Sequence, residues 1–202
     1  MNLSNELYRK SLHFSAILIP LFFYHFGKWK TLLILAPITI FMVTLDHLRQ
    51  ENPKIKAIFL KIFAPILRPH EIEGKKLCGA SFMLLAACIN FLLFSKEIAV
   101  VSFLIVVISD ALSAIVGKAI PSQPFFEKSR AGALAFLISA LLILVGCGMI
   151  FHVHFWFYFF GVFSIFCVTM IEARPSLLNV DDNFSIPMVF SFLMTGFGFM
   201  WG

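Results

Sequence analysis

Ionisable side chains recur in four short clusters of an otherwise apolar chain, each with a spacing that chemistry could use. In "NELYRKSLHF", Glu6, Arg9, Lys10 and His13 stand at i, i+3, i+4 and i+7, one face of a helix. Two cations and an imidazole there could grip phosphate; equally, Arg9 and Lys10 form the positive flank expected of any first membrane span. In "VVISDALSAIVGK", Asp110 lies two turns from Lys118 within apolar sequence, followed by Ser113, Ala114 and Gly117 at i+3, i+4 and i+7. A carboxylate at that depth is a candidate functional group, whereas the stripe of small residues suits close helix packing.

In "EKSRAGALAF", Lys128, Ser129, Arg130 and Gly132 open an apolar run. Unpaired N–H groups and the positive dipole end at a helix start suit polyphosphate, although the Walker pattern occurs nowhere in the chain. The last cluster, "IEARPSLLNVDDNFSIP", carries Glu172, Arg174, Asp181, Asp182 and Asn183. Asp182 or Asn183 could cap the helix that follows; a cap would use one of the three polar residues and leave two to explain.

The elements that must position these clusters are membrane helices. Of 202 residues, 60% are hydrophobic and 13% charged, with 26 Phe, against roughly 25% charged in an average soluble domain. Spans of about 20 apolar residues are expected near 11–27, 30–45, 77–94, 98–118, 131–151, 153–172 and 184–201. The fold class is therefore all-α, a polytopic integral membrane protein of about seven transmembrane helices in a single domain, 1–202. Between the second and third spans, "NPKIKAIFLKIFAPILRP" predicts an interfacial amphipathic helix over 53–67, capped by Asn52, with Lys54, Lys61 and Arg68 on its polar stripe. Cys78, Cys88, Cys147 and Cys167 have no CxxC spacing and read as small hydrophobes. His152 and His154 form an HxH pair lacking a third metal ligand.

Charge predicts orientation. With the N-terminus cytoplasmic, thirteen Lys and Arg fall on the inner side and three, Lys28, Lys30 and Lys96, outside, the asymmetry that sets topology. All four clusters then lie at the cytoplasmic boundary, together with nearly every acid. Such a mixed-sign band suits a site where a charged molecule meets a lipid; a transporter, the rival class, more often keeps its ionisable groups near the midplane. No nucleic-acid partner is expected, and Gly196 and Gly198 lack the GxxxG spacing of close helix dimers.

In this order, the segments "ELYRKSLH", "RPHEIEGKKLCGASFMLLA", "SDALSAIVGK", "EKSRAGALAF" and "IEARPSLLNVDDNFSIP" resemble the dolichol kinase, phytol kinase and CTP-dependent diacylglycerol kinase family. The resemblance implies transfer of the terminal phosphoryl of CTP, or another nucleoside triphosphate, to the hydroxyl of a polyprenol, another isoprenoid alcohol or diacylglycerol. It implies nucleotide contacts by Arg9, Lys10, Gly117, Lys128, Ser129, Gly132 and Asn183, and Mg²⁺ as cofactor held from among Asp110, Asp181, Asp182 and Glu172. Catalytic roles fall to Asp110, Asp182 and His13, the base that takes the acceptor's proton staying open among His13, Asp110 and the Asp181–Asp182 pair. Phosphoryl transfer accounts for the mixture of signs, since it depends on positioning and on neutralising charge as the phosphoryl moves. A CTP:phosphatidate cytidylyltransferase is the nearest alternative, but its Lys-Asp and His-Gly-Gly-rich C-terminal signature is absent.

Overall fold

The computed structural model describes residues 9–11, 13–64, 67–68, 71–72, 76–178 and 180–198. Eight helices organise them: α1 (Leu18–Glu51), α2 (Pro53–Phe63), α3 (Gly79–Leu93), α4 (Lys96–Leu104), α5 (Asp110–Ala119), α6 (Arg130–Phe151), α7 (Phe155–Ala173) and α8 (Asp182–Gly198). A π-helical turn, Ile105–Ser109, joins α4 to α5. The strands β1 (Pro124–Phe125) and β2 (Lys128–Ser129) form one small antiparallel hairpin between α5 and α6. By length and composition, Arg9–Glu51, Lys96–Ala119, Arg130–Phe151 and Phe155–Ala173 are apolar enough to cross a membrane, with Gly79–Leu93 a shorter apolar helix. The protein is a helical integral membrane protein.

The expected first and second spans are two helical arms of α1 that meet at a break and reverse direction. At Gly27 the backbone takes φ 77° and ψ 178°, a region essentially reserved for glycine. On one side of the reversal Phe23 stacks on Phe91; on the other Lys28 donates to Leu92 O at 3.0 Å. Further along, Thr39 meets Cys88 at 3.1 Å and Asp46 accepts from Ser81 Oγ at 2.6 Å. The second arm therefore runs back along α3 to its start. Tyr24, Lys96 and Phe151 gather at one end, and the ionisable clusters gather at the other.

The core between them is apolar and tightly filled: Phe91, Phe103, Phe136, Leu144, Ile165, Ile186 and Phe190 are all fully buried. Asn90 is satisfied inside it, donating to Ser102 Oγ at 2.5 Å and accepting from Ser191 Oγ at 2.8 Å. Unpaired, such an amide would cost several kcal/mol in hydrocarbon.

The surface helix is shorter than the expected 53–67. Asn52 caps it as expected, accepting from Lys54 N at 2.9 Å, and α2 ends at Phe63, before Pro65 could remove a helical hydrogen bond. Phe59 is buried against Met42, Leu45 and Leu67, while Ile58 and Ile62 stay exposed. Pro65 and Ile66 lie outside the described residues.

Candidate functional site

At the charged end, two adjoining cavities open between the helices. The larger, about 410 Å³, is lined by Arg9, Lys10, Arg68, Asp110, Ser113, Gly117, Lys128, Ser129, Gly132 and Asp182 among others. Its size falls within the roughly 300–1,000 Å³ of small-molecule sites. The smaller, about 160 Å³, shares Arg9, Lys10 and Arg68 with it and adds His13, Ala16, Glu71, Ala80, Met83 and Asn183.

Asp110 reaches the larger cavity because the π turn immediately before it changes the helix phase, as such turns often do at functional sites. Its Oδ2 accepts from Lys10 Nζ at 2.5 Å, with both side chains buried. From the same face as Lys10, His13 Nε2 lies 3.1 Å from Val106 O in the π turn and 4.0 Å from Asp110 Oδ2. The expected helical face of Arg9, Lys10 and His13 is thus turned inward; Glu6 lies outside the described residues.

The opposite wall is built by α5, the β-hairpin and α6. Ser129 caps α6, accepting from Gly132 N at 3.1 Å and donating to Gly117 O at 3.3 Å. A Cβ on Gly117 would stand 2.6 Å from Ser129 Oγ, and one on Gly132 only 2.9 Å from Ser113 O. These glycines let α5 and α6 touch, so the small-residue stripe serves close packing and lines the cavity as well.

Lys128, projecting from β2, donates to Glu172 Oε1 at 2.5 Å and to Asp182 Oδ2 at 3.4 Å. Burial disfavours its charge, but Asp110, Asp182 and Glu172 outweigh burial and push its pKa up to about 12. It stays cationic at any neutral pH. Glu172 Oε1 also accepts from Ser113 Oγ at 2.7 Å, while its Oε2 is buried with no hydrogen-bond partner. Asp182 precedes the apolar run that begins at Phe184. Burial, reinforced by Asp110 and Asp181 against the pull of Lys128, pushes its pKa up to about 6.

One expectation requires correction. The cap of α8 is Asp181, whose Oδ1 accepts from Asn183 N at 3.0 Å and from Asn183 Nδ2 at 2.7 Å; neither Asp182 nor Asn183 fills that role. This leaves Asn183 on the smaller cavity instead of the larger one. Nor do Asp110, Asp181, Asp182 and Glu172 form one metal-ligand set. Among the described residues no three His, Cys, Asp or Glu side chains converge to hold a metal. Their charges are met separately, by Lys10, by Arg68 and, for the last two, by Lys128. Only Asp110 and Asp182 of the four face the larger cavity.

Sequence reasoning missed Arg68 as a site residue. Its heptad spacing with Lys54 and Lys61 suggested an outward stripe, yet its guanidinium lies 3.4 Å from Asp181 Oδ2 and lines both cavities. Burial opposes its charge, but Asp181 and Asp110 prevail and raise its pKa. Glu71 fixes the backbone there, Oε2 accepting from Arg68 N at 2.6 Å and Oε1 from Gly79 N at 2.7 Å. Behind it, buried Arg49 pairs with Asp46 and donates to Glu71 O at 2.9 Å. The usable signal was the charge density of "RPHEIEGKK" beside an apolar run.

Fold and site together define a polytopic helical membrane protein with a mixed-charge cavity at one end. Over 201 residues, 96% of each chain, it is 34% identical to the uncharacterized protein RP860 of Rickettsia prowazekii, and it belongs to the same family. The uncharacterized protein MJ1137 of Methanocaldococcus jannaschii is 26% identical over 144 residues, 69% of each chain. No family model matches the chain, and no solved structure matches it.

Proposed function

We propose that this protein is a membrane-embedded lipid-alcohol kinase of the polyprenol kinase type, using CTP or another nucleoside triphosphate at the cytoplasmic face. The observation that carries the reading is the larger cavity. Arg9, Lys10, Arg68 and Lys128 face Asp110 and Asp182 across it, beside a wall that two glycines let close tightly. A triphosphate needs several cations at fixed positions, and its transfer needs carboxylates near the moving phosphoryl. The bias of Lys and Arg toward the cavity end favours placing that end in the cytoplasm.

Mg²⁺ fits this donor set. It is commonly bound through one or two carboxylates plus substrate phosphates, without an all-protein cage, and Asp110 and Asp182 supply two on one cavity. When bound it would neutralise charge on the phosphates. The chain's own residues do the rest: Lys128 and Arg68 hold the anionic end of the nucleotide, and Lys10 balances Asp110. In the transfer, the acceptor's hydroxyl oxygen bonds to the terminal phosphorus. The bond from that phosphorus to the bridging oxygen breaks, its electron pair leaving with the nucleoside diphosphate, and the hydroxyl proton passes to a base of the site.

The test incubates purified protein with Mg²⁺, γ-labelled CTP or ATP, and dolichol-like, phytol-like, farnesol-like and diacylglycerol acceptors. Label is expected in at least one lipid and absent after chelation. No label in any lipid with either nucleotide would remove the kinase reading.

A further inference from the structure

The two cavities differ in a way that assigns them different occupants. The larger is walled mainly by charged, hydroxyl and glycine positions, and it sits between α5, the hairpin and the start of α8. The smaller has a mixed lining. Apolar Ala16, Leu67, Ala80 and Met83 stand alongside polar His13, Glu71 and Asn183. Lys10, Arg9 and Arg68 stand between the two, lining both. A cavity lined by both apolar and polar groups suits the head of an amphiphile; a triphosphate would leave the apolar residues unmatched.

We propose that the smaller cavity is the acceptor subsite, receiving the hydroxyl end of an alcohol on an apolar chain, with His13 as the group that takes its proton. This rests on the kinase reading and adds to it where the acceptor sits. Three observations support it. Alanines at 16 and 80 leave room that larger residues would fill, and Leu67, Cys78 and Ala80 continue directly into the apolar cluster around Phe59 of α2. That cluster joins the cavity lining to α2, whose Ile58 and Ile62 remain exposed. Finally, His13 lines the smaller cavity while Asp110 lines the larger. Nε2–H is donated to Val106 O, which leaves Nδ1 as the acceptor nitrogen of a neutral imidazole. The proton from the acceptor hydroxyl then goes to Nδ1 as that oxygen bonds to phosphorus, and the nucleoside diphosphate leaves from the neighbouring cavity.

The experiment uses the full chain in phosphatidylcholine vesicles with a diazirine-bearing farnesol. Illumination is expected to label Ala16, Ala80 or Met83, with labelling lost under excess unlabelled farnesol. Because this reads binding without turnover, it stands apart from the activity assay: labelling here with no transfer would sink the kinase reading and leave an alcohol site. Labelling confined to other residues would overturn the subsite whether or not transfer occurs. In active protein, Ala80→Leu and Ala16→Leu are expected to raise the acceptor KM about tenfold, the scale of a misfitted methyl or two, with the nucleotide KM unchanged. Equal rises in both constants would overturn the division of the cavities. His13→Gln is expected to lower kcat with the nucleotide KM kept; unchanged kcat would remove its role.

Discussion

Lys10 Nζ and Asp110 Oδ2 meet at 2.5 Å across 100 positions of sequence, both buried. Each charge needs the other, because a single ion at that depth would be strongly unfavourable.

Removing one partner exposes this dependence. Lys10→Met or Asp110→Asn alone is expected to cost roughly 3–5 kcal/mol, the scale for breaking a buried pair, while the double variant recovers much of it. Thermal unfolding of the four proteins in detergent forms the cycle. Strictly additive losses would show that the two residues do not act as a pair. Transfer should be lost in Asp110→Asn and in the double variant, however well the latter folds.

The two glycines of the α5–α6 contact should respond differently. Gly117→Ala meets the hydroxyl of Ser129, which Ser129→Ala removes, so the double variant should be more stable than the summed losses imply. Gly132→Ala meets the backbone carbonyl of Ser113 and has no such relief. Unfolding midpoints decide; a Gly132→Ala protein as stable as wild type would show that α6 can shift freely.

Asp182 gives a pH signature with a definite sign. Its folded pKa of about 6 lies above the ordinary value of 3.8, so the folded state holds the proton more tightly. The stabilisation is fully present below the unfolded pKa and lost as pH rises through about 6. Asp182→Asn should therefore raise the unfolding temperature more at pH 7.5 than at pH 5, while reducing transfer at both. An equal effect on stability at the two pH values would contradict the burial of an ionised Asp182.

Glu71 should behave as a brace. Glu71→Ala strips partners from two backbone N–H groups, each about 1–3 kcal/mol when left unsatisfied, whereas Glu71→Gln keeps one acceptor. Stability should fall in the order wild type, Gln, Ala, and nucleotide KM should rise in parallel as Arg68 loses its place. A normal KM in a destabilised Glu71→Gln protein would limit the residue to folding.

What the sequence made legible was whatever depended on composition and on one element at a time. Apolar runs marked the long helices, four of which are apolar enough to cross a membrane, and Asn52 was readable as a cap because capping is local. Arg9, Lys10, Asp110, Lys128, Ser129 and Asp182 do share one cavity, since all lie at the charged end of the bundle. Arg68 escaped because its periodicity belonged to a helix that stops at Phe63, after which spacing no longer predicts direction. Asp46 and Arg49 escaped for a related reason: three residues apart, they resemble an ordinary surface pair, and only the fold-back of the second arm onto α3 buries them. The division of four carboxylates among three cations was likewise beyond any spacing rule, being set by contacts 44 to 113 residues apart.

Gly27 turns the chain in open space: a Cβ there would meet nothing within 4 Å. An L-residue is therefore resisted by the backbone alone, at about 1–3 kcal/mol. The mirror-image amino acid, D-alanine, should fit without that penalty. What the position selects is handedness, not size, and on that one stereochemical choice depends whether Lys10 and Asp46 come back to the same end of the helical bundle.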